Sequence, residues 1–254
     1  MRLINKLIWI LPGLVFIVAL LILAQLLVMH GSVNRVLMPP PTAIAATLGN
    51  LLLHGDFLPP LLSTLGLFAL SFALSIVIGV GLGVVMGMSK ICRNLLEPLI
   101  ELIRPMPKPA LLPVLMLFLG IGLLMKTTIV VLSGLFPILI NTLQGVIGVD
   151  PVLTGTGLTF GLGRMALVRK VILPAAMPYA LSGIRISLGL CLLVTVLAEM
   201  LTATSGLGFT ILHAEREFRI GHMYAWLIVL AVLGFAMNYA ITQAEKKLTP
   251  WLYP

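Results

Sequence analysis

Few residues in this chain can do chemistry, and they fall into three groups. The first is the stretch Asp150–Pro178, DPVLTGTGLTFGLGRMALVRKVILPAAMP, with Arg164, Arg169 and Lys170 and the single acid Asp150. A short basic amphipathic segment of this kind lies on anionic lipid or docks on a partner protein, and the residues alone leave both open. The second is Arg185 and Glu199, ionisable residues in otherwise apolar surroundings. Such residues serve a pathway or gate, or they anchor an interface and pack between subunits. The third is His213, Glu217 and His222, which one loop could gather as metal ligands; solvated polar residues are the plainer reading. Glu215 and Arg219, four apart, are expected to pair on a helix surface.

Several chemistries have no motif here. There is no GxxxxGK[ST], so the chain has no phosphate-cradling loop with which to hydrolyse a nucleotide. HExxH and GxSxG are also missing, and no catalytic residue, metal or cofactor is expected in this chain. Cys92 lies in a basic segment and Cys191 in an apolar one, so no disulfide is expected.

The elements that must position these residues follow from composition. The chain has 254 residues, 60% hydrophobic and 9% charged, against roughly 25% charged in a soluble domain. That excludes disordered, collagenous and disulfide-stapled classes and implies an all-α integral membrane protein. The net charge of +8 then reads as a basic cytoplasmic face rather than a nucleic-acid site. A span needs roughly 20 apolar residues. Charge-free stretches place six, at about 7–29, 61–88, 109–124, 127–148, 178–202 and 222–243. The whole chain, 1–254, reads as a single transmembrane domain.

With both termini inside, the inner segments hold Arg2, Lys6, Lys90, Arg93, Arg104, Lys108, Arg164, Arg169, Lys170, Lys246 and Lys247. The outer ones hold Arg35, Lys126, Arg216 and Arg219. This bias of 11 to 4 predicts a cytoplasmic N-terminus and C-terminus. Arg185 is expected about 10 Å into the fifth span, within snorkelling reach of the interface, and Glu199 about 21 Å further on. Gly79, Gly83 and Gly87 permit close helix packing within one subunit or across a dimer. The stretch from Thr202 to Arg219 can form a re-entrant cap on the outer side.

The basic stretch itself is expected to fold as a helix–turn–helix. Asp150 caps a helix with Pro151 in its first turn. Gly155 and Gly157 each weaken that helix by about 1 kcal/mol. Gly161 and Gly163 make the turn, Arg164–Leu173 a second helix, and Pro174 and Pro178 end it and open the next span.

Gly161 followed by Leu173-Pro174 resembles the EAA loop of ABC importer permeases. Met38-Pro39-Pro40-Pro41-Thr42 and Ile103-Arg104-Pro105-Met106-Pro107 are similar to segments of the nitrate/sulfonate/taurine/bicarbonate type. So are Phe136-Pro137-Ile138 with Asn141-Thr142, and Val149-Asp150-Pro151. Gly183-Ile184-Arg185, Ala198-Glu199-Met200, Ser205-Gly206-Leu207-Gly208 and Leu248-Thr249-Pro250-Trp251 complete an ordered set covering nearly all the chain after about residue 36.

The resemblance implies a type I ABC importer permease of a bacterial inner membrane, surrounded by lipid and binding no nucleic acid. Two copies, expected to be identical, would form the pathway. Two cytoplasmic ATPase subunits, which hold the ATP and Mg2+, would dock on a coupling loop at about 150–174. An extracytoplasmic binding protein would deliver a small anion or sulfonate-like solute. The coupling residues implied are Gly155, Thr156, Gly157, Gly161, Arg164, Arg169, Lys170, Leu173 and Pro174, with Arg185 and Glu199 as gate or pathway candidates. One departure stands out: the E-A-A positions hold Gly155, Thr156 and Gly157, so the family's acid is missing. Arg164 and Arg169, or backbone contacts, are then expected to carry more of the docking. The competing readings are a self-contained channel or secondary transporter, and a scaffold that uses the basic loop to hold a partner. No repeat or paired buried acids favour the channel or transporter.

Overall fold

The computed structural model describes residues 2–31, 34–202 and 204–250, with the side chains of 2–10 and 14 outside that description. Arg2 and Lys6 of the inner-face count, and Trp251 of the closing motif, therefore lie outside it. The described residues form helices and no strand. In chain order these are α1 (Arg2–Met29), α2 (Pro41–His54), α3 (Leu58–Met88) and α4 (Lys90–Ile103). A 3₁₀ turn (Lys108–Leu111) leads into α5 (Leu112–Leu119), then α6 (Leu123–Ile147), α7 (Pro151–Thr159) and α8 (Arg164–Leu167). A π-helical turn (Val168–Ile172) joins α8 to α9 (Leu173–Thr202), followed by α10 (Leu207–Arg216) and α11 (Ile220–Leu248).

Among the described residues five stretches are long and apolar enough to cross a membrane: Leu11–Met29, Leu58–Met88, Leu123–Ile147, Arg164–Thr202 and Ile220–Leu248. The expected third span, 109–124, is not a straight helix. Gly120, at φ +70°, ends α5 after eight residues, a length of ~12 Å against a core of about 30 Å. Only α4 together with Lys108–Leu119, bent by 88°, reaches span length, giving a sixth crossing or a re-entrant loop.

Two other expectations change. The fifth span does not begin at Pro178. The helix runs unbroken from Arg164 to Thr202 because the π turn makes room for Pro174. There the Leu173 N–H donates to Val168 O, and the ring meets a widened turn rather than an α-helical one. And Lys108 and Lys126, assigned to solvated segments, are both buried. Because α6 starts at Leu123, Lys126 lies in its first turn and donates to Thr204 Oγ1 at 2.6 Å.

Two compact units result, Met1–Pro60 with Thr210–Leu230 and Leu61–Phe209 with Ala231–Pro254. In the first, Gln25 of α1 exchanges hydrogen bonds with Thr42 of α2 at about 3.3 Å, and Arg35 donates to the last carbonyls of α1. The second is built around α6, which packs against α9 and, through the glycine row of α3, against α3. A Cβ on Gly83 would stand 2.7 Å from Thr142 Cβ and 2.8 Å from Leu139 O; Gly79 and Gly87 meet Ile138 and Val146 in the same way. Of the two readings left open for this row, the structure shows packing within the chain. Apolar side chains of all three helices, Phe68, Phe72, Ile129, Leu188 and Val194 among them, fill the core. Its buried serines bond locally and across the seam: Ser75 donates to Ser71 O at 2.8 Å, and Ser187 of α9 to Gly134 O of α6 at 2.6 Å.

The row makes a direct expectation. Gly83→Leu overpacks the α3–α6 seam and costs about 1–3 kcal/mol, seen as a lower thermal midpoint in detergent. Gly81→Ala, two residues away with open space at its Cβ, leaves the midpoint unchanged. Equal midpoints for both variants would contradict the packing described.

Candidate functional site

The basic stretch folds as a knob. Asp150 Oδ1 accepts from Val152 N at 2.8 Å, capping α7, and Pro151 occupies its first turn. At the other end Gly161 N donates to Leu158 O at 2.9 Å and Leu162 N to Gly157 O at 3.0 Å. This is a Schellman closure, and it requires the left-handed φ of +75° that Gly161 adopts. Gly163, also expected to make the turn, has an ordinary φ of −66°. The hairpin closes around Gly157, where a Cβ would press 2.6 Å from Leu167 Cδ1.

The knob's outer surface is apolar and basic. Val152, Phe160 and Met165 are 70%, 82% and 80% exposed, beside exposed Arg164, Arg169 and Lys170. A groove of about 630 Å³ runs along it, lined by Leu153, Thr156, Phe160, Lys170, Pro174 and Ala175. Exposed apolar side chains of this size beside basic ones fit contact with a partner or with a lipid surface. Gly155 is exposed, with nothing within 4 Å of a Cβ placed on it. The position of the missing acid is therefore open space on the knob.

The structure holds Arg185 and Glu199 apart, each with its own partner. Arg185 pairs with Glu245 near the end of α11. It is not near the start of its helix, because the helix begins at Arg164. It does stand 17 residues, ~26 Å, before Thr202, so it falls near one face of a span counted back from that end. Glu199 is 1% exposed. Thr64 Oγ1 lies 2.9 Å from both its carboxyl oxygens and donates to them, and Gly208 N donates at 3.0 Å. Thr64 Oγ1 in turn accepts from Leu207 N at 2.8 Å. The carboxyl thus ties α3 and α9 to the turn that opens α10. Gly206, at φ +100°, sits over it, where a Cβ would overlap the carboxyl oxygens. Lys126 anchors the same turn through Thr204 and acts on Glu199 electrostatically.

The histidine loop has other bonds. α10 ends at Arg216 and Phe218 takes φ 55°, so Arg219 is turned away from the expected pairing with Glu215. It contacts Glu217 at 3.6 Å and His222 Nε2 at 3.0 Å instead. Among the described residues no three potential ligands gather as a metal site. The two cysteines are free, Cys191 being buried. Sequence reasoning missed Thr64 and Glu245. The available signal was physical, since a lone acid or base in an apolar helix requires a donor or counter-charge from another helix.

Residues 75–250 match the family of binding-protein-dependent transport system inner membrane components. The chain belongs to that family. This permease is 31% identical, over 87% of its length and 80% of the relative's, to a protein of Bacillus subtilis (strain 168) named as the aliphatic sulfonates transport permease SsuC. It is 33% identical to the taurine transport system permease TauC of Escherichia coli (strain K12), over 58% of this chain and 54% of that one. Its fold is that of the MetNI methionine ABC transporter in inward-facing conformations, at a TM-score of 0.64 and 21% identity, covering 73% of the permease and 93% of that chain. It is thus a multi-pass inner-membrane subunit of the ABC importer type, with the type I permease fold.

The Glu199 contacts yield a prediction. Thr64→Val leaves a buried carboxyl and the Leu207 amide short of a partner, a loss of about 1–3 kcal/mol. Hydrogen exchange at the Leu207 and Gly208 amides should rise at least tenfold with α6 unchanged. Unaltered exchange there would show that the contacts do not hold the turn.

Proposed function

We propose that this permease imports a small organic anion of the sulfonate class as one half of a homodimer. Two ATPase subunits dock on the 150–174 loops, a binding protein delivers the solute from outside, and both termini face the cytoplasm. The observation that carries the docking assignment is the knob: apolar and basic side chains stand exposed on a hairpin closed by Gly161. The names of the sulfonate and taurine permease relatives support the substrate class. With Arg104 and Lys108 of the α4–α5 break set aside, the bias of nine to four in basic residues supports the orientation.

The mechanism follows from continuity. The knob joins α9 through the π turn without a break, and Glu199 lies at the far end of the same helix, ~52 Å from Arg164. ATP binding moves a two-state transporter only by binding one state more tightly than the other. Closure of the ATPase pair displaces the knobs, and α9 carries that displacement to the turn held by Glu199, which serves as the outer gate. With no acid at Gly155, docking rests on Arg164, Arg169, backbone groups and the exposed apolar side chains.

Gly161→Val forces a β-branched residue into a left-handed turn and disrupts the knob while leaving membrane insertion intact. Co-purification with the ATPase should fall at least tenfold, and ATP-driven sulfonate uptake in proteoliposomes should be lost. Normal co-purification would remove the docking assignment. Absence of uptake by the intact parent complex for every sulfonate tried would remove the substrate class alone.

A further inference from the structure

The 88° break between α4 and α5 lies halfway along α6. Lys108, in the break, places Nζ 4.7 Å from the centre of the Phe136 ring. Phe136 is within one residue of the midpoint of Leu123–Ile147. Irregular backbone at the depth of a span's centre persists only where protein buries it or where it lines a water-filled cavity. Broken helices at that depth are also how membrane carriers build solute sites.

Here the break does line a cavity. A groove of about 490 Å³ lies between the Arg104–Pro109 segment, α6 and α9, with Ser133, Phe136, Asn141 and Leu190 in its walls. Its electrostatics are one-sided. Lys108, 8% exposed, donates to the carbonyls of Ile103, Arg104 and Met106 at 2.6, 3.2 and 2.9 Å. Among the described residues it forms no ion pair, and its amine faces only carbonyl dipoles and the ring face. Arg104 adds a second cation at the rim, partly offset by exposed Glu101 at 3.6 Å. Among the described residues no acidic one lines the groove. Beside these cations stand Phe136 and Leu190, an apolar wall.

We propose that this groove is a solute subsite for a small organic anion, the acid group facing Arg104 and the Lys108 side and the carbon portion lying on Phe136 and Leu190. For ligand class it rests on the import reading above; as an anion-attracting, water-filled groove it stands apart from that reading. Lys108 shapes the site by fixing the break, and Arg104 is the group within reach of the ligand.

Leu190→Cys, in a Cys92→Ser background and in the assembled transporter with ATPase and binding protein, tests it. Its labelling is compared between anionic sulfonatoethyl and cationic trimethylammonioethyl methanethiosulfonate, each rate normalised to a free thiol. A cavity of one sign concentrates counter-ions, and the anionic reagent should be favoured about tenfold. Adding Arg104→Gln should cut that preference at least threefold, and taurine at millimolar concentration should protect the cysteine. Failure to label, or preference for the cationic reagent, with Arg104 intact, overturns the subsite. Anionic preference with protection by a carboxylate but by no sulfonate upholds the subsite and overturns the sulfonate class.

Discussion

Everything the second unit positions depends on the close approach of α6 to its two neighbours. Hydrophobic burial does not drive helices together inside lipid, so the contact must come from packing and cross-helix hydrogen bonds. The structure uses both. The glycine row of α3 lets its backbone meet α6 at side-chain range, and Ser187 of α9 bonds to Gly134 of α6. With α6 fixed, α9 is fixed along its length, and the knob and Glu199 become opposite ends of one element. The groove at Lys108 is the space left where the neighbouring segment bends away from the same helix.

The polar residues of the chain divide by how they are satisfied. Glu199 is wholly internal, held by a hydroxyl from α3 and an amide of the α10 turn. Arg185 is tied to α11. Lys108 is held by carbonyls and the Phe136 ring, with no counter-charge among the described residues. The knob's basic residues stand in the open. This gradation, from internally bonded to exposed, separates residues that hold the transporter together from those assigned to partners and solute.

Much of this was legible in the residues where the cause is local. Asp150-Pro151 caps a helix, Gly161 makes a turn and five of the six long apolar stretches form spans, because each depends on a few neighbours in sequence. The third span was not legible as built. Counting apolar residues does not register that Pro105, Pro107 and Pro109 together with Gly120 cut the segment into pieces. The continuous helix through Pro174 and Pro178 was also missed, since proline argues for a boundary unless a π turn makes room for it. Partners distant in sequence were beyond reach: Thr64 and Glu199 are 135 residues apart, and only the packing of α3 with α6 and α9 brings them together.

The central claim is that α9, with the turn feeding it, behaves as one rod between the docking knob and the Glu199 turn. The π segment Val168–Ile172 is where that rod leaves the α-helical conformation. Spin labels at Met165 and Leu201, both exposed, stand ~54 Å apart along the helix. Their separation should be measured in the assembled transporter, nucleotide-free and with ATP trapped. The rod predicts the same distance in both states; a change of about 5 Å, one helical turn, would place a hinge at 168–172 and contradict it.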